Sequence, residues 1–281
     1  MHTHTTHSDG RETVAELFAQ AALADLDVLA LTDHDTVSGW ADAVELSAQT
    51  GIGLVRGIEV TTQATTNGHN FSVHLLAYLP DPKNAPLLGM LANTVVAREE
   101  RLRAITELVG VEWQLTWDDV LAQLQDGATM GRPAVADALI AAGHFVNRDE
   151  VFRDVLYNGS PYYVSNEAAP DVFEAIQVIR DAGGVPVIAH PFGRSTSNRP
   201  KPEGHFLELI EAGLAGFEVY HRDVPEDARE WLLGLADRFD LVVTGSSDYH
   251  GLRGKENRLG ENLTTPEMLE RIVELGYTEL I

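Results

Sequence analysis

The sequence predicts an α/β fold, because short apolar runs alternate with amphipathic helical patterns along most of the chain. The apolar runs are rich in Val, Ile and Leu, as strands are, and comprise residues 28–32, 53–60, 71–79, 185–189, 217–220 and 241–244. With the short N-terminal segment they make about seven strands, a number that favours an α/β barrel over an open sheet. One connection, Asn67-Gly68, is short and polar, which predicts a local hairpin.

Helical patterns separate most of these strands and comprise residues 13–24, 170–182, 225–238 and 266–275. Pro225 and Pro266 suit the first turn of a helix, where the missing N–H of proline costs nothing. Gly183 and Gly276 suit the residue that ends a helix. Proline and glycine therefore stand where the predicted helices should begin and end.

One long stretch, from residue 86 to residue 158, interrupts the alternation because every pattern in it is helical. Thr116 and Asn147 each stand where a side chain can cap the start of a helix. We therefore predict a barrel formed by residues 1–85 and 159–281. Residues 86–158 form an inserted helical domain that caps the C-terminal face of the strands.

The composition limits the classes of partner. The chain has 281 residues and a formal net charge of −23, enough length for one large domain or a domain with an insertion. Such an acidic balance opposes binding to duplex DNA and to anionic membranes, because that binding depends on Lys and Arg neutralising phosphates. It does not exclude an anionic substrate, since divalent cations would reverse the local field inside a pocket.

The absence of cysteine excludes disulfides and Cys-type zinc sites, and it is compatible with a reducing cytoplasm. No apolar run has membrane-spanning length, and the polar start of the chain does not resemble a signal peptide. We expect a cytoplasmic protein without membrane association. Chain length predicts nothing about the oligomeric state.

Nine potential metal ligands lie in six short clusters, most of them directly after a predicted strand. They are His2, His4, Asp9, His34, Glu59, His74, His190, Asp248 and His250. Side chains at the ends of several barrel strands converge in space although they are far apart in sequence. One ion takes roughly three to six ligands, so nine are enough for two or three ions that share carboxylates. The pattern predicts a multinuclear metallohydrolase.

The signals differ in strength when each is taken alone. His2 and His4 place two imidazoles on one face of a strand, although N-terminal His pairs can also be remnants of a tag. Glu59 lies in an apolar strand, where a carboxylate is costly to bury without a cation. A lone histidine such as His74 is more often a hydrogen-bonded core residue. Joint occurrence after nearly every strand favours the metal site.

Two further clusters need an assignment. After the first predicted strand, we assign the ligand to His34, and to Asp33 and Asp35 a supporting or helix-capping role. Asp9 lies in a Ser-Asp-Gly segment, where a turn would bring it back toward an ion held by the first histidine pair.

Together these motifs resemble the PHP (polymerase and histidinol phosphatase) family of metal-dependent phosphoesterases. The segments that carry the resemblance span the whole chain in the family's order: residues 2–10, 32–35, 57–59, 73–78, 189–191 and 247–251. The resemblance implies a distorted (β/α)7 barrel with a trinuclear site at the C-terminal ends of the strands.

The resemblance also implies how three divalent ions would be bound. The first ion would be held by His2, His4, Glu59 and Asp248. The second would be held by Glu59, His74 and His190, and the third by Asp9, His34 and His250. Glu59 would bridge the first two ions. Imidazole and carboxylate ligands fit Mn, Zn or Fe, and the sequence does not choose among these metals.

Within the family, the chain most resembles stand-alone enzymes that remove the 3′-phosphate from nucleoside 3′,5′-bisphosphates. Some of these enzymes also degrade short RNA from the 5′ end. The segments concerned are residues 131–133, 157–164 and 190–194. The resemblance implies that Arg132 and Arg194 clamp a substrate phosphate, which a planar guanidinium can bind through two oxygens. The alternative for each is an ordinary surface arginine.

The chemistry agrees with this interpretation. Phosphate ester hydrolysis needs charge neutralisation, an activated water and in-line geometry, and paired cations supply all three through a bridging hydroxide near neutral pH. We expect Glu59 and Asp248 to be essential for catalysis because they hold these cations. His221 follows a predicted strand and is a candidate general acid, with His7 a weaker one. A structural role is equally compatible with either histidine.

The leading hypothesis is a metal-dependent phosphatase or exonuclease that acts on nucleotides or short RNA. Histidinol-phosphate phosphatase is the first alternative, although two arginines favour a doubly anionic substrate. A non-catalytic accessory module, like the PHP domains attached to DNA polymerases, is the second. The complete ligand set argues against it.

Overall fold

The computed structural model describes residues 1–66, 69–125, 127–192, 203–253 and 256–281. The first part of the chain contains α1 (Val14–Leu23), β1 (Val28–Leu31), α2 (Trp40–Thr50), β2 (Gly53–Thr66) and β3 (His69–Tyr78). A helical stretch follows, with α3 (Ala85–Trp113), α4 (Trp117–Leu121), α5 (Arg132–Ala141) and α6 (Arg148–Asp154). The last part contains α7 (Val172–Asp181), β4 (Val185–Ile188), α8 (Glu203–Glu211), β5 (Gly216–Tyr220), α9 (Glu226–Phe239), β6 (Val242–Gly245) and α10 (Pro266–Leu275).

Among the described residues, six strands form one mixed sheet in sequential order from β1 to β6. The pairs β1–β2, β4–β5 and β5–β6 are parallel, whereas β3 is antiparallel to both β2 and β4. The hairpin predicted between β2 and β3 is therefore confirmed, with pairing from Gly57 and Tyr78 to Thr66 and His69. The predicted turn residues, Asn67-Gly68, lie outside the described residues.

The N-terminal segment forms a single bridge and not the strand predicted for it. Thr3 pairs with Tyr249, and the backbone N–H of His4 donates to the carbonyl of Tyr249 at 2.8 Å. On the other side, the backbone N–H of Thr32 donates to the carbonyl of Thr3 at 3.0 Å. The segment is too short for a ladder, but it lies between the ends of the first and last strands of the sheet.

Helix ends follow the sequence signals with one difference. Thr13 caps α1 through a reciprocal pair of hydrogen bonds with Glu16, and Pro266 occupies the first turn of α10. Pro225, however, precedes α9 as its N-cap, and Gly276 ends α10 with an extended backbone at φ −79°. Gly183, after α7, has φ +69°, a left-handed conformation that glycine adopts without strain.

The main apolar core lies between the sheet and its surrounding helices. It includes Leu17 of α1, Leu54 and Ile58 of β2, Ile176 of α7 and Phe217 of β5, all of them fully buried. Burying one such side chain stabilises the fold by roughly 1.5–3 kcal/mol. This core fixes the strands whose ends carry the polar side chains described below.

Helices α3 to α6 pack around an apolar cluster of their own, inserted in the chain between β3 and β4. Its buried members include Leu102, Val109, Val135, Leu139 and Val151. Side-chain caps begin α4 and α6 at the predicted residues, Thr116 and Asn147. The division of the chain at residues 86 and 158 stays a prediction. Across the described ranges, no helix combines the length and the apolar character needed to cross a bilayer.

Candidate metal centre

Glu59 of β2 lies at the centre of the predicted ligands and is 1% exposed. Its Oε1 is 2.7 Å from Nδ1 of His74 and 3.1 Å from Nε2 of His190. Its Oε2 lies 3.0–3.2 Å from ring nitrogens of three more imidazoles, those of His2, His4 and His34. Five of the predicted histidine ligands therefore contact one carboxylate.

Asp248 and Asp9 extend this network to the remaining predicted ligands. Asp248 Oδ1 is 3.4 Å from His2 Nε2, 3.2 Å from His4 Nε2 and 3.4 Å from His250 Nδ1. Asp9 Oδ1 is 3.2 Å from His250 Nε2. All nine predicted ligands are thus linked through contacts shorter than 3.5 Å.

Three groups of these side chains place their ligand atoms within 4.8 Å of one another. One group matches the set predicted for the first ion: His2, His4, Glu59 and Asp248. The other two differ from the predicted sets, since His34 joins Glu59 and His74 in one, and His4 joins Asp9 and His34 in the other. The assignment of ligands to individual ions stays a prediction.

The packing of polar atoms tests whether a cation fits. His34 Nδ1 is buried 3.2 Å from Glu59 Oε2, yet it makes no well-aligned hydrogen bond with any described residue. Asp9 Oδ1 is likewise buried, lies 3.2 Å from His250 Nε2, and makes no well-aligned hydrogen bond with any described residue. Buried polar atoms normally have partners. Close contacts that are not aligned as hydrogen bonds are expected when side chains direct their lone pairs at a shared cation. Imidazole nitrogens and carboxylate oxygens are ligands that suit Mn, Zn or Fe.

The charges in the cluster are strongly coupled. Burial alone would raise the pKa of Glu59, but His34, His2 and His74 hold it well below its usual range. Burial alone would lower the pKa of His4, but hydrogen bonds to Asp248 and Glu59 raise it to about 9. Burial does lower the pKa of His34 well below its usual range. The centre therefore holds ionised carboxylates at neutral pH, as a cation site requires.

The two aspartates that flank His34 hold neighbouring segments in place. Asp33 accepts hydrogen bonds from the backbone N–H and hydroxyl of Thr5, both at 2.7 Å, and from the hydroxyl of Ser8 at 2.6 Å. Asp35 accepts from the backbone N–H of Thr61 at 2.8 Å and from its hydroxyl at 2.7 Å. Supporting roles were predicted for both residues, and these contacts provide them.

The backbone is strained at several points of the centre. Asp35, His190 and Asp248 have positive φ values of 53°, 31° and 50°. Non-glycine residues rarely adopt this region, and each instance costs on the order of 1–3 kcal/mol. Such strain clusters at functional sites, because the surrounding structure must hold it.

Glu218 of β5 is a buried carboxylate at the centre that the sequence analysis missed. Its Oε1 lies 3.1 Å from His2 Nδ1, and its Oε2 accepts the backbone N–H of His190 at 2.7 Å. Burial would raise the pKa of Glu218, but the charge and hydrogen bond of His2 lower it to about 2. Glu218 stands in an apolar strand between Phe217 and Val219, and a glutamate there needs a partner for the same reason as Glu59.

His221 lies beside the centre, with its ring centroid 5.6 Å from that of His190. Its Nδ1 accepts the backbone N–H of Asp223 at 3.1 Å, so the neutral ring carries its proton on Nε2. That Nε2 is buried and has no hydrogen-bond partner among the described residues. Burial lowers the pKa of His221, which keeps this tautomer neutral at pH 7. His7, in contrast, hydrogen-bonds Ser38 at 2.9 Å.

Three arginines of the helical insert lie near one another. Arg98 donates to Asp35 at 3.0 Å, beside the centre. Arg132 donates to the carbonyl of Leu156 at 3.0 Å, and Arg101 to that of Val164 at 2.8 Å. Burial and the positive charges of Arg132 and Arg98 lower the pKa of Arg101 to about 10. Burial also lowers the pKa of Arg132, and Arg98 adds to that shift.

Arg101 and Arg132 differ from most buried cations in that neither has a carboxylate partner among the described residues. Arg101 was not predicted, because its sequence context resembles that of the surface arginines beside it. Arg194, the second arginine predicted to bind phosphate, lies outside the described residues.

A family model for the PHP domain matches residues 1–139. The chain is 30% identical over 263 residues to phosphoribosyl 1,2-cyclic phosphate 1,2-diphosphodiesterase from Eggerthella lenta, covering 92% of this chain and 97% of that one. It is 32% identical over 253 residues to 3′,5′-nucleoside bisphosphate phosphatase from Chromobacterium violaceum, covering 89% and 86%. This chain belongs to the PHP family.

Solved structures agree with this assignment. The structure of this chain superposes with a TM-score of 0.93 on a protein from Bifidobacterium adolescentis that is assigned as a metal-dependent phosphoesterase. The two chains are 42% identical, and the alignment covers 98% of this chain and 95% of the other. The predicted enzyme class, a phosphoric ester hydrolase, is confirmed. The predicted family is confirmed as well, and the protein is a metal-dependent phosphoesterase of the PHP type.

Proposed function

We propose that this PHP enzyme removes the 3′-phosphate from nucleoside 3′,5′-bisphosphates at a trinuclear metal centre, and that it also accepts short RNA from the 5′ end. One observation carries the proposal. Five imidazoles contact Glu59, and Asp248, Asp9 and His250 extend the same cluster. Beside it, Arg98 of the helical insert contacts Asp35, and its neighbours Arg101 and Arg132 lack a carboxylate partner among the described residues. Such a site combines ligands for cations with arginine N–H groups that can donate hydrogen bonds to a phosphate.

The fold fits this site. The bridge at Thr3, between the ends of β1 and β6, would close the sheet into a distorted (β/α)7 barrel. Residues 86–158 would form the cap above the strand ends, and residues 1–85 and 159–281 the barrel. The separate apolar cluster of α3 to α6 supports this division. The bond from Arg98 to Asp35 supports the position of the cap.

The ions would be held as the family resemblance implies. His2, His4, Glu59 and Asp248 would bind the first, Glu59, His74 and His190 the second, and Asp9, His34 and His250 the third. When bound, divalent ions supply Lewis-acid contact to phosphoryl oxygens and lower the pKa of water to near neutral. The protein contributes the fixed geometry, the ionised Glu59, the side chain of Asp248, and the exclusion of solvent from a buried cluster.

The arginines of the insert would bind the phosphate that is not hydrolysed. Arg132 is half-buried, and its only polar contacts among the described residues are the carbonyl of Leu156 and the side-chain oxygen of Asn158. Its remaining N–H groups can therefore bind phosphate oxygens. Arg101, with its pKa of about 10, stays protonated at pH 7 and adds positive charge there. Arg194 would complete the clamp.

His221 would donate a hydrogen bond to the departing 3′-oxygen. The backbone N–H of Asp223 fixes the ring in the tautomer with its proton on Nε2. Nε2 lies buried beside His190 without a described partner, which leaves this N–H free for a substrate oxygen. Because the ring is neutral, this hydrogen bond would stabilise the negative charge that develops on the oxygen as the bond to phosphorus breaks, and water would supply the proton.

A comparison of substrates tests the proposal. Enzyme loaded with Mn²⁺ should hydrolyse adenosine 3′,5′-bisphosphate with the highest kcat/KM of a panel that also contains L-histidinol phosphate. The product should be adenosine 5′-monophosphate. Higher kcat/KM for histidinol phosphate would overturn the proposal. The Glu59→Gln variant, purified in parallel, controls for a contaminating phosphatase.

A second candidate is a phosphodiesterase acting on a five-membered cyclic phosphate of a sugar phosphate. The relative from Eggerthella lenta, which is named for such a reaction, favours it, because the alignment covers 97% of that protein. A sugar bearing a cyclic phosphate and a distal phosphate would use the same arginines. Adding phosphoribosyl 1,2-cyclic phosphate to the panel separates the two candidates, since only one substrate can give the higher kcat/KM.

A further inference from the structure

Glu218 is a fully buried carboxylate that takes no part in the chemistry described above. It is 0% exposed, and it lies on β5, opposite the ligand face of His2. A buried carboxylate costs several kcal/mol unless its lone pairs are satisfied. Its contacts with His2 and His190 therefore need an explanation.

Glu218 has two partners. Its Oε2 accepts the backbone N–H of His190 at 2.7 Å, and a backbone N–H can only donate. Nδ1 of His2 lies 3.1 Å from Oε1 and 3.4 Å from Oε2. His2 is itself 0% exposed, so no water competes for that nitrogen. One carboxylate thus touches the side chain of one predicted ligand and the backbone of another.

The opposite edge of the His2 ring faces the cluster. Its Nε2 lies 3.1 Å from Glu59 Oε2 and 3.4 Å from Asp248 Oδ1. A neutral imidazole has one N–H and one lone pair, and only the lone pair can bind a cation. An acceptor at Nδ1 places the proton there, which leaves the lone pair on Nε2.

We infer that Glu218 is a positioning residue for the metal centre. It holds His2 in the tautomer whose Nε2 can bind the first ion, and it fixes the backbone that presents His190. A carboxylate behind a histidine ligand orients the ring and raises its basicity. This inference rests on the proposed metal centre, and it extends that centre by one residue on a strand with no ligand of its own.

The Glu218→Gln variant tests the role of the carboxylate with little change in volume. A glutamine amide that accepts the N–H of His190 must turn its NH₂ toward His2 Nδ1. The histidine would then carry its proton on Nε2, which faces the cluster. We expect Mn²⁺ to bind the metal-free variant about 10- to 100-fold more weakly at one of its sites. The measurement is a calorimetric or EPR titration with Mn²⁺ alone.

Glu12 offers a matched control. It also accepts from one side chain and one backbone N–H, those of Tyr249 at 3.0 Å and Leu252 at 2.9 Å, but no predicted ligand imidazole contacts it among the described residues. Glu12→Gln should bind Mn²⁺ like the wild type. Equal affinities for Glu218→Gln and Glu12→Gln would overturn the inference. If the wild type binds no Mn²⁺, the proposed metal centre itself fails.

A second measurement does not depend on the fold of a variant. In the wild type loaded with diamagnetic Zn²⁺, ¹⁵N NMR of labelled histidine should place the His2 proton on Nδ1. A proton on Nε2 in the wild type would overturn the inference, whatever the variants do. In a folded Glu218→Gln protein the same experiment should find the proton moved to Nε2.

Discussion

The metal centre and the helical insert of this protein bury charge in opposite ways. At the centre, carboxylates and imidazoles crowd together at 2.7–3.4 Å with few well-aligned hydrogen bonds. In the insert, Asp137 of α5 is buried between two guanidinium groups, accepting from Arg148 at 2.7 and 2.8 Å and from Arg11. Asp137 is satisfied by two protein cations, one of them from outside the insert, whereas the carboxylates of the centre would be satisfied by the proposed metal ions. The comparison sets a buried charge that stabilises the fold against a cluster that would bind ligands.

Glu59→Gln gives the largest expected effect, because Glu59 contacts five imidazoles of the centre. Loss of an outer partner of a metal ligand already costs about 10- to 100-fold. Loss of the central carboxylate should lower kcat/KM by more than about 100-fold and reduce the bound metal. Full activity with unchanged metal content, measured by elemental analysis, would show that the centre does not depend on it.

Leu139→Ala tests the insert as a self-stabilising part. Leu139 is 0% exposed in the apolar cluster of α3 to α6, so its truncation should destabilise the protein by about 2–5 kcal/mol. Denaturant unfolding measures this loss. Val146, which is 81% exposed in the same insert, provides the control, since Val146→Ala should change stability by less than about 0.5 kcal/mol. Mn²⁺ affinity should stay unchanged in both variants, and a loss for Leu139→Ala would contradict the separation of the two regions.

Arg132→Ala should have an effect of intermediate size. A hydrogen bond to a charged group contributes about 1.5–3 kcal/mol, which corresponds to about a 10- to 100-fold loss in kcat/KM for adenosine 3′,5′-bisphosphate. Adenosine 3′-monophosphate lacks the second phosphate, so its hydrolysis should change much less. Arg153 is exposed and paired with Asp154, and Arg153→Ala should behave like the wild type on both substrates. Equal losses of Arg132→Ala on both substrates would exclude a phosphate clamp.

The smallest expected effect is a pH dependence confined to the metal-free centre. The pKa of His4 is raised to about 9 in the folded protein, above its ordinary value of 6.5. The folded state therefore favours the protonated ring, and this stability is present below pH 6.5 and lost as the pH rises through 9. Unfolding of metal-free protein between pH 6.5 and 9 should show a smaller loss for His4→Gln than for the wild type. With Mn²⁺ bound, the difference should disappear, because a bound cation replaces the proton.

Sequence alone predicted those features that follow from local patterns, such as periodicity and the polar residues after a strand. Strand and helix periodicity placed the elements of the α/β fold, and polar residues after strands indicated which side chains would meet. Arg101 could not be predicted, because only the packing of α3 distinguishes it from a solvated arginine such as Arg103. The residue pattern alone did not divide the ligands among ions, because that division depends on side-chain positions. His34 is an example, since it belongs to two of the groups of side chains that could hold an ion.

The bridge at Thr3 has a consequence for the maturation of the enzyme. His2 and Asp248, separated by nearly the whole described chain, lie 3.4 Å apart, and the backbone of the N-terminal segment bonds to Tyr249. Contacts between such distant residues form late, since the intervening chain must first be ordered. During translation, His2 and His4 can contact Asp248 only after the residues that follow β6 have left the ribosome. Loading of the proposed first ion would therefore follow the synthesis of these residues, and a nascent chain stalled before Asp248 should bind metal more weakly at that site.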